Sequence, residues 1–193
     1  MERKRELTKN LLAESFKELL IKGSFDKITI KMITDQAGVI RPTFYNYFQD
    51  KYEVMEWLLW EDVFKEVSEL MEQERGMESL KLLFRKFEED KTYYEKVFEV
   101  TGQNSFEEML YGQIFNMEEI LVKHHPLKHL SNMPHVDEKV FLEFHAISLV
   151  NGLKYWLIRE SKNISAGDAM EFYQYMMSHS ILDLLDIENT EKK

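Results

Sequence analysis

The sequence contains no cysteine, which excludes disulfide bonds and thiolate metal sites. No apolar run approaches the roughly 18 residues that a membrane span requires, and the amphipathic stretch after Met1 lacks the apolar segment of a signal peptide. Only three prolines interrupt the chain, which shows helical periodicity along most of its length. These absences predict an all-α protein of the reducing cytoplasm that does not enter a membrane.

Motifs of catalytic and metal sites are also missing. The sequence has no nucleophile elbow, P-loop or paired-carboxylate motif, so we predict neither an enzyme nor a cofactor. Four histidines crowd one loop, at His124, His125, His129 and His135. No His-x-x-x-His pair lies on a predicted helix, and no thiolate accompanies them. A solvated loop that holds no metal ion is the simpler interpretation.

Residues 29–51 contain the most informative pattern. Thr29 stands directly before an apolar-periodic run, where its hydroxyl can cap a new helix. Gly38 follows that run and can adopt the left-handed backbone of a tight turn, and Pro42 suits the first turn of a second helix. The buried positions of these two helices are predicted to be Ile30, Ile33, Ala37, Phe44 and Phe48. Two short helices joined by a tight turn form a helix-turn-helix.

The second of these helices has a polar and aromatic outer face. Its outward side chains are Arg41, Thr43, Tyr45, Asn46 and Tyr47. A helix held at a fixed angle by a partner helix can enter the major groove and present such groups to DNA. We therefore predict DNA binding, with an ordinary helical hairpin as the alternative.

The block from Thr29 to Lys51 resembles the N-terminal domain of the TetR/AcrR family of bacterial transcriptional regulators. The resemblance rests on the Ala-Gly-Val turn at 37–39, the Phe-Tyr-Asn-Tyr-Phe run at 44–48 and Lys51. It implies that Thr29 and Lys51 hold phosphates from two helix N-termini, while the second helix faces the groove or its walls. The DNA-binding residues that it implies are Thr29, Arg41, Pro42, Thr43, Tyr45, Asn46, Tyr47 and Lys51.

One position departs from the family pattern. Ile40 stands where many members have a serine or threonine that caps the second helix. A hydrocarbon side chain accepts no hydrogen bond, so we expect neither that cap nor a hydroxyl contact to DNA. Pro42 can compensate by fixing the backbone of the first turn.

The net charge of −10 is unevenly distributed. Residues 1–52 contain 10 Lys/Arg and 7 Asp/Glu, whereas the other 141 residues contain 15 and 28. A weakly basic N-terminal part on an acidic remainder would turn toward DNA, because only the basic part gains by displacing counterions from phosphates. Arg3, Lys4, Arg5 and Lys9 can add to these backbone contacts.

We divide the chain into a helix-turn-helix head at residues 1–50, a helical body at 51–187 and a flexible tail at 188–193. The head is predicted to hold three helices, and the whole chain about nine. A long helix starting near Lys51 is expected to be the one rigid connection between head and body. The expected fold is therefore all-α, a three-helix head followed by a helical bundle.

The last two predicted helices, about 136–161 and 166–187, are apolar on more than one side. An apolar face so wide must cover the core and also meet another molecule. The resemblance implies a homodimer in which these helices form a four-helix interface; burial within one subunit is the alternative. The interface residues that we predict are Phe144, Gly152, Trp156, Tyr173, Met177 and Ile181.

The body is rich in aromatic and methionine side chains, which either fill a core or line a cavity. The resemblance implies a small-molecule effector, and the pocket residues that we predict are Trp57, Trp60, Tyr94, Phe98 and Phe115. Residues 151–160 and 164–168 also resemble the branch of the family that includes activators of dihydroxyacetone-kinase operons. That branch implies a protein co-regulator in place of a pocket ligand.

Together these patterns predict a dimeric regulator, a repressor that binds a palindromic operator in double-stranded DNA and is gated by a small molecule or a partner protein. The alternative is an all-helical interaction protein or co-regulator that has lost DNA binding. Arg41, Thr43, Tyr45 and Asn46 favour the first, because these side chains suit a DNA groove.

Overall fold

The computed structural model describes residues 2–125, 127 and 135–184, and within these ranges the chain is helical and has no strand. Its helices are α1 Glu2–Lys22, α2 Ile30–Ala37, α3 Arg41–Phe44, α4 Lys51–Leu59, α5 Lys65–Glu72, α6 Gly76–Glu89, α7 Lys91–Val97, α8 Phe106–His124, α9 Glu138–Tyr155 and α10 Ala166–Ser178. A π turn at Trp60–Phe64 makes α4 and α5 one continuous helix. With α4 and α5 counted as one helix, the described residues contain nine α-helices, which confirms the predicted all-α class. The predicted tail and His129 lie outside the described residues.

In the head, α1 packs on α2 and α4 around an aromatic core. Phe16 contacts Phe25 edge-on, with ring centroids 6.1 Å apart, and Phe25 meets Tyr52 of α4 at 4.8 Å. The core continues without interruption from the head into the body. The position of α3 is therefore fixed by packing that also involves the long helix α4–α5, because Phe44 and Phe48 belong to this core.

A second connection joins head and body besides the long helix. Lys17 of α1 is only 11% exposed, and its ammonium pairs with Asp62 in the π turn at 3.0 Å and with Asp90 next to α7. Its Nζ also lies 5.2 Å above the ring of Tyr93. The expectation of one rigid connection is therefore wrong, because α1 is held directly to the body by a half-buried ion cluster.

In the body, α8 packs along α9 and α10 packs along α6. The helix predicted at 136–161 is confirmed as α9 with a π turn at Trp156–Glu160. The last helix is shorter than predicted, since it stops at Ser178. The Ser178 hydroxyl donates to two carbonyls of the final turn, and Ser180 and Asp183 then exchange hydrogen bonds that start a separate 3₁₀ turn, Ile181–Leu184. Side-chain competition for backbone groups ends the helix.

Across the residues that the structure describes, no helix combines the length and apolar character needed to cross a membrane.

Candidate nucleic-acid interface

The turn between α2 and α3 is built as the sequence predicts. The Thr29 hydroxyl accepts a hydrogen bond from the Met32 N–H at 3.2 Å and so caps α2. Gly38 ends α2 with a φ of 68°, a left-handed backbone that glycine adopts without steric cost. Because the Thr29 oxygen acts as acceptor in the cap, its own O–H stays available to donate to a phosphate.

Helix α3 is a single turn that two aromatic rings anchor on its inner side. Phe44 and Phe48 are buried, with their ring centroids 5.8 Å apart, and the Phe48 N–H donates to the Phe44 carbonyl at 3.0 Å. Ile40 occupies the N-cap position and makes no side-chain capping bond, as expected, while Pro42 lies in the first turn. Two buried aromatic rings thus hold a short helix whose outer surface faces solvent.

The outer surface of α3 carries an ordered pair. The Arg41 guanidinium donates from Nη2 to the Tyr45 hydroxyl at 3.1 Å and lies 5.8 Å from the centre of the Tyr45 ring. This bond pre-orients a planar donor fork, which matches the O6 and N7 acceptors of a guanine in geometry. The exposed members of the predicted set are Thr29, Arg41, Pro42, Tyr45 and Asn46, and the half-buried members are Thr43, Tyr47 and Lys51.

Lys51 has a structural role that the sequence did not indicate. Its ammonium donates to the carbonyls of Phe25 at 2.6 Å and Ile28 at 3.2 Å, and lies 4.1 Å from the centre of the Phe25 ring. Burial lowers the pKa of Lys51, an effect that Asp26 and Asp50 oppose. An ammonium has three N–H donors, so one remains for the predicted phosphate contact.

Lys9 also lies in an unexpected place. Its Nζ is 5.2 Å from the ring centre of Phe48 and 4.9 Å from that of Trp57. The Phe48 and Trp57 rings themselves are 5.9 Å apart. Cation–π attraction thus ties α1 to the segment after α3 and to α4. Nothing in the periodicity signals this contact, because the partners are about 40 and 50 positions away.

The structure does not bring the five predicted pocket residues together. Trp57 packs against Phe48 of the head, and Trp60 is 40% exposed on the π turn. Tyr94 and Phe98 are buried in a packed cluster with Phe87 and Phe106, at ring distances of 4.3 to 6.4 Å, and Phe115 packs beside Tyr111. Of the two roles that the sequence left open, Tyr94 and Phe98 take the core role.

The six predicted dimer residues fall into two groups. Phe144, Met177 and Ile181 are exposed by 69, 42 and 71%. The other three pack within the chain: the Trp156 indole donates to the Ile164 carbonyl at 2.9 Å, and a Cβ on Gly152 would lie 3.2 Å from the Tyr173 ring. The inner three nevertheless line an apolar hollow of about 240 Å³ at the surface of α9 and α10.

Two sequence families match this chain. The family described as bacterial regulatory proteins of the tetR family matches residues 16–57, and a family described as a transcriptional regulator C-terminal region matches residues 74–177. The HTH-type dhaKLM operon transcriptional activator DhaS of Lactococcus lactis is 29% identical over 92 residues, 48% of this chain. The match spans about half of that relative's length, 49%.

Solved structures show the same fold over nearly the whole chain. A dihydroxyacetone kinase operon activator DhaS superposes with a TM-score of 0.59 at 23% identity, over 94% of this chain and 96% of that one. A TetR transcriptional regulator from Streptococcus agalactiae 2603V gives 0.65 at 20% identity, over 91% and 96%. The second matched family covers more than half of the chain and the first covers the helix-turn-helix. The chain therefore belongs to the TetR family and is a DNA-binding transcriptional regulator.

Proposed function

We propose that this protein acts in the cytoplasm as a homodimer that binds a palindromic operator through its two heads and is gated by a partner protein or a small molecule. The observation that carries the proposal is the apolar surface of α9 and α10. Its exposed large side chains are Val140, Phe141, Phe144, Ile147, Tyr155, Ile158, Phe172, Tyr175, Met176 and Met177. A monomer rarely exposes so many apolar groups side by side unless another molecule covers them.

The shape of that surface supports an interface with a second copy. Trp156 and Tyr173 line the apolar hollow, together with Tyr155, Phe172 and Met176. A two-fold axis through α9 and α10 would let each subunit fill the partner's hollow with its own exposed side chains, since the same patch serves both subunits. Two heads in successive major grooves would then lie roughly 34–36 Å apart or more, which requires a palindrome.

The body supports a partner protein over a small apolar effector. Tyr94 and Phe98, two predicted pocket residues, are packed in the core. An open groove of about 890 Å³ lies between α5, α6 and the start of α10 instead, and its lining is mostly charged. The charged residues lining it are Glu66, Glu69, Arg75, Glu78, Lys81, Arg85, Glu88 and Glu171. Sites for apolar small molecules are lined mostly by hydrophobic and aromatic side chains, so this groove is a poor match for one. Its charges of both signs can pair with complementary charges on a partner protein.

Repression remains the sequence-based expectation for the sign of regulation. Activation is the second candidate, because the Lactococcus relative is named as an operon activator. A reporter fused to the promoter of the neighbouring operon, compared with and without the regulator gene, separates the two. Higher expression without the regulator indicates repression, and lower expression indicates activation.

Substitution Met177→Lys tests the dimer. A lysine ammonium in the apolar contact would be buried without a partner, so the variant should sediment as a monomer and should not bind the operator in a gel shift. The operator is identified beforehand by footprinting the DNA that flanks the protein's own gene. Met177 is 42% exposed, so the subunit itself should stay folded.

The matched control is Glu171→Lys, which adds a lysine to the same helix in the charged groove. It should leave assembly and operator binding unchanged. A wild-type protein that sediments as a monomer at micromolar concentration would rule out the dimer. A stable dimer without operator binding would favour the interaction-protein alternative.

A further inference from the structure

Ile40 is a large β-branched side chain that the fold does not use. It is 70% exposed, whereas Val39 beside it packs against the core. It occupies the N-cap of α3, a position where isoleucine is among the poorest residues because it cannot bond the free N–H groups. An exposed isoleucine at an N-cap contributes neither to packing nor to capping, and residues that conflict with local structural preferences in this way occur at functional sites.

The surroundings of Ile40 indicate what it contacts. It directly precedes Arg41, whose guanidinium is oriented by Tyr45 on the solvent side of α3. The Thr43 N–H donates to the Ile40 carbonyl at 2.9 Å, which fixes Ile40 at the leading end of the recognition turn. The N-terminal residues of a recognition helix are those that reach base edges in the major groove.

An aliphatic side chain at such a place has one specific partner in the groove. Base edges present donors and acceptors, and the C5-methyl group of thymine is the apolar exception. We propose that Ile40 recognises a thymine through that methyl group, adjacent to the base pair contacted by Arg41. This inference rests on the DNA-binding role proposed for α3 and adds a residue that determines operator sequence.

Uracil in place of thymine tests the inference, since uracil lacks only this methyl group. In each operator duplex, uracil replaces thymine at one position of the half-site sequence, and the same replacement is made in both half-sites. The affinities of these duplexes for the dimer are measured by fluorescence anisotropy. Burial of one methyl group is worth about fourfold in affinity, so the two half-sites together should lose about 15-fold at one symmetric position. The other positions should change little.

Substitution at Ile40 gives the matched controls. Ile40→Ser removes the hydrocarbon and supplies a capping hydroxyl, so the fold should be kept or stabilised while the uracil effect disappears. Ile40→Val keeps a shorter branched side chain and should keep part of the effect. A purely structural role for Ile40 would not link its substitution to one methyl group on the DNA.

The outcomes are distinct. Specific operator binding that ignores every thymine-to-uracil replacement would overturn the role of Ile40 and leave the proposed function intact. An equal uracil effect in wild type and Ile40→Ser would assign the methyl contact to another residue and overturn the inference as well. Equal affinity for operator and random DNA would overturn the proposed function itself, and this inference with it.

Discussion

Replacing Lys51 by methionine separates two roles of one ammonium group. The change keeps an unbranched side chain and removes the donor that holds the carbonyls of Phe25 and Ile28. Hydrogen bonds from a charged group contribute about 1.5–3 kcal/mol net, and an exposed cation–π contact adds about 0.5–1 kcal/mol. Lys51 is half-buried, and solvent screens part of these interactions. We therefore expect the free energy of unfolding to fall by about 2 kcal/mol.

Urea denaturation followed by circular dichroism measures that loss. With a slope of about 2 kcal/mol per molar urea, the midpoint should fall by about 1 M. The control is Lys22→Met, which removes an equal charge from an exposed pair with Glu18 and should cost less than about 0.5 kcal/mol. Equal midpoints for Lys51→Met and wild type would refute the structural role.

The same variant tests the phosphate contact. If the third N–H of Lys51 binds a phosphate, operator and random DNA should lose affinity equally, and the slope of log affinity against log salt should fall by about one per head. An unchanged slope in a folded variant would leave Lys51 with its structural role alone.

Two further predictions concern the body. Gly112→Ala on α8 adds a Cβ with open space around it and should stabilise the protein by about 0.5–1 kcal/mol, whereas Gly152→Ala places its Cβ 3.2 Å from the Tyr173 ring and should cancel or reverse that gain in thermal unfolding. Glu118 is buried and 2.6 Å from His145, and burial raises its pKa despite the opposing effect of His145. Its raised pKa favours the neutral form, so the contribution of Glu118 to stability is present below pH 4.5 and is lost as the pH rises through the raised value. Glu118→Gln cannot ionise, so its stability relative to wild type should increase in urea titrations as the pH rises from 4.5 through the raised pKa of Glu118. A difference that is independent of pH would contradict this.

The head was predictable because its signals are local. Thr29 caps a group three residues away, Gly38 forms the turn where it stands, and Phe44 and Phe48 are one helical turn apart. Each interaction is set within four residues, and periodicity and capping rules describe that range well. The local fold of the helix-turn-helix therefore follows from the sequence almost residue by residue.

Long-range partners were not predictable. The carbonyls that bind Lys51 are 26 and 23 residues away, and Asp62 is 45 residues from Lys17. Spacing also cannot tell a packed aromatic from one that lines a cavity, so both roles stay open for Tyr94 and Phe98 at the level of the sequence. The long-range partners and the choice between core and cavity both depend on tertiary packing, which the spacing of residue types along the chain does not reveal.

Lys17 changes how a signal can reach the head. Its ammonium joins α1 of the head, the π turn of the long helix and the start of α7, through Asp62 and Asp90. Tilting α4 alone would pull this ammonium away from half-buried carboxylates, and breaking such a pair leaves charge poorly solvated. A movement of the head that keeps both ion pairs therefore has to include the π turn and the start of α7. A partner that binds in the groove along α5 and α6 would act on α7 through the helix directly before it. By linkage, the operator would then change the affinity for that partner by the same factor.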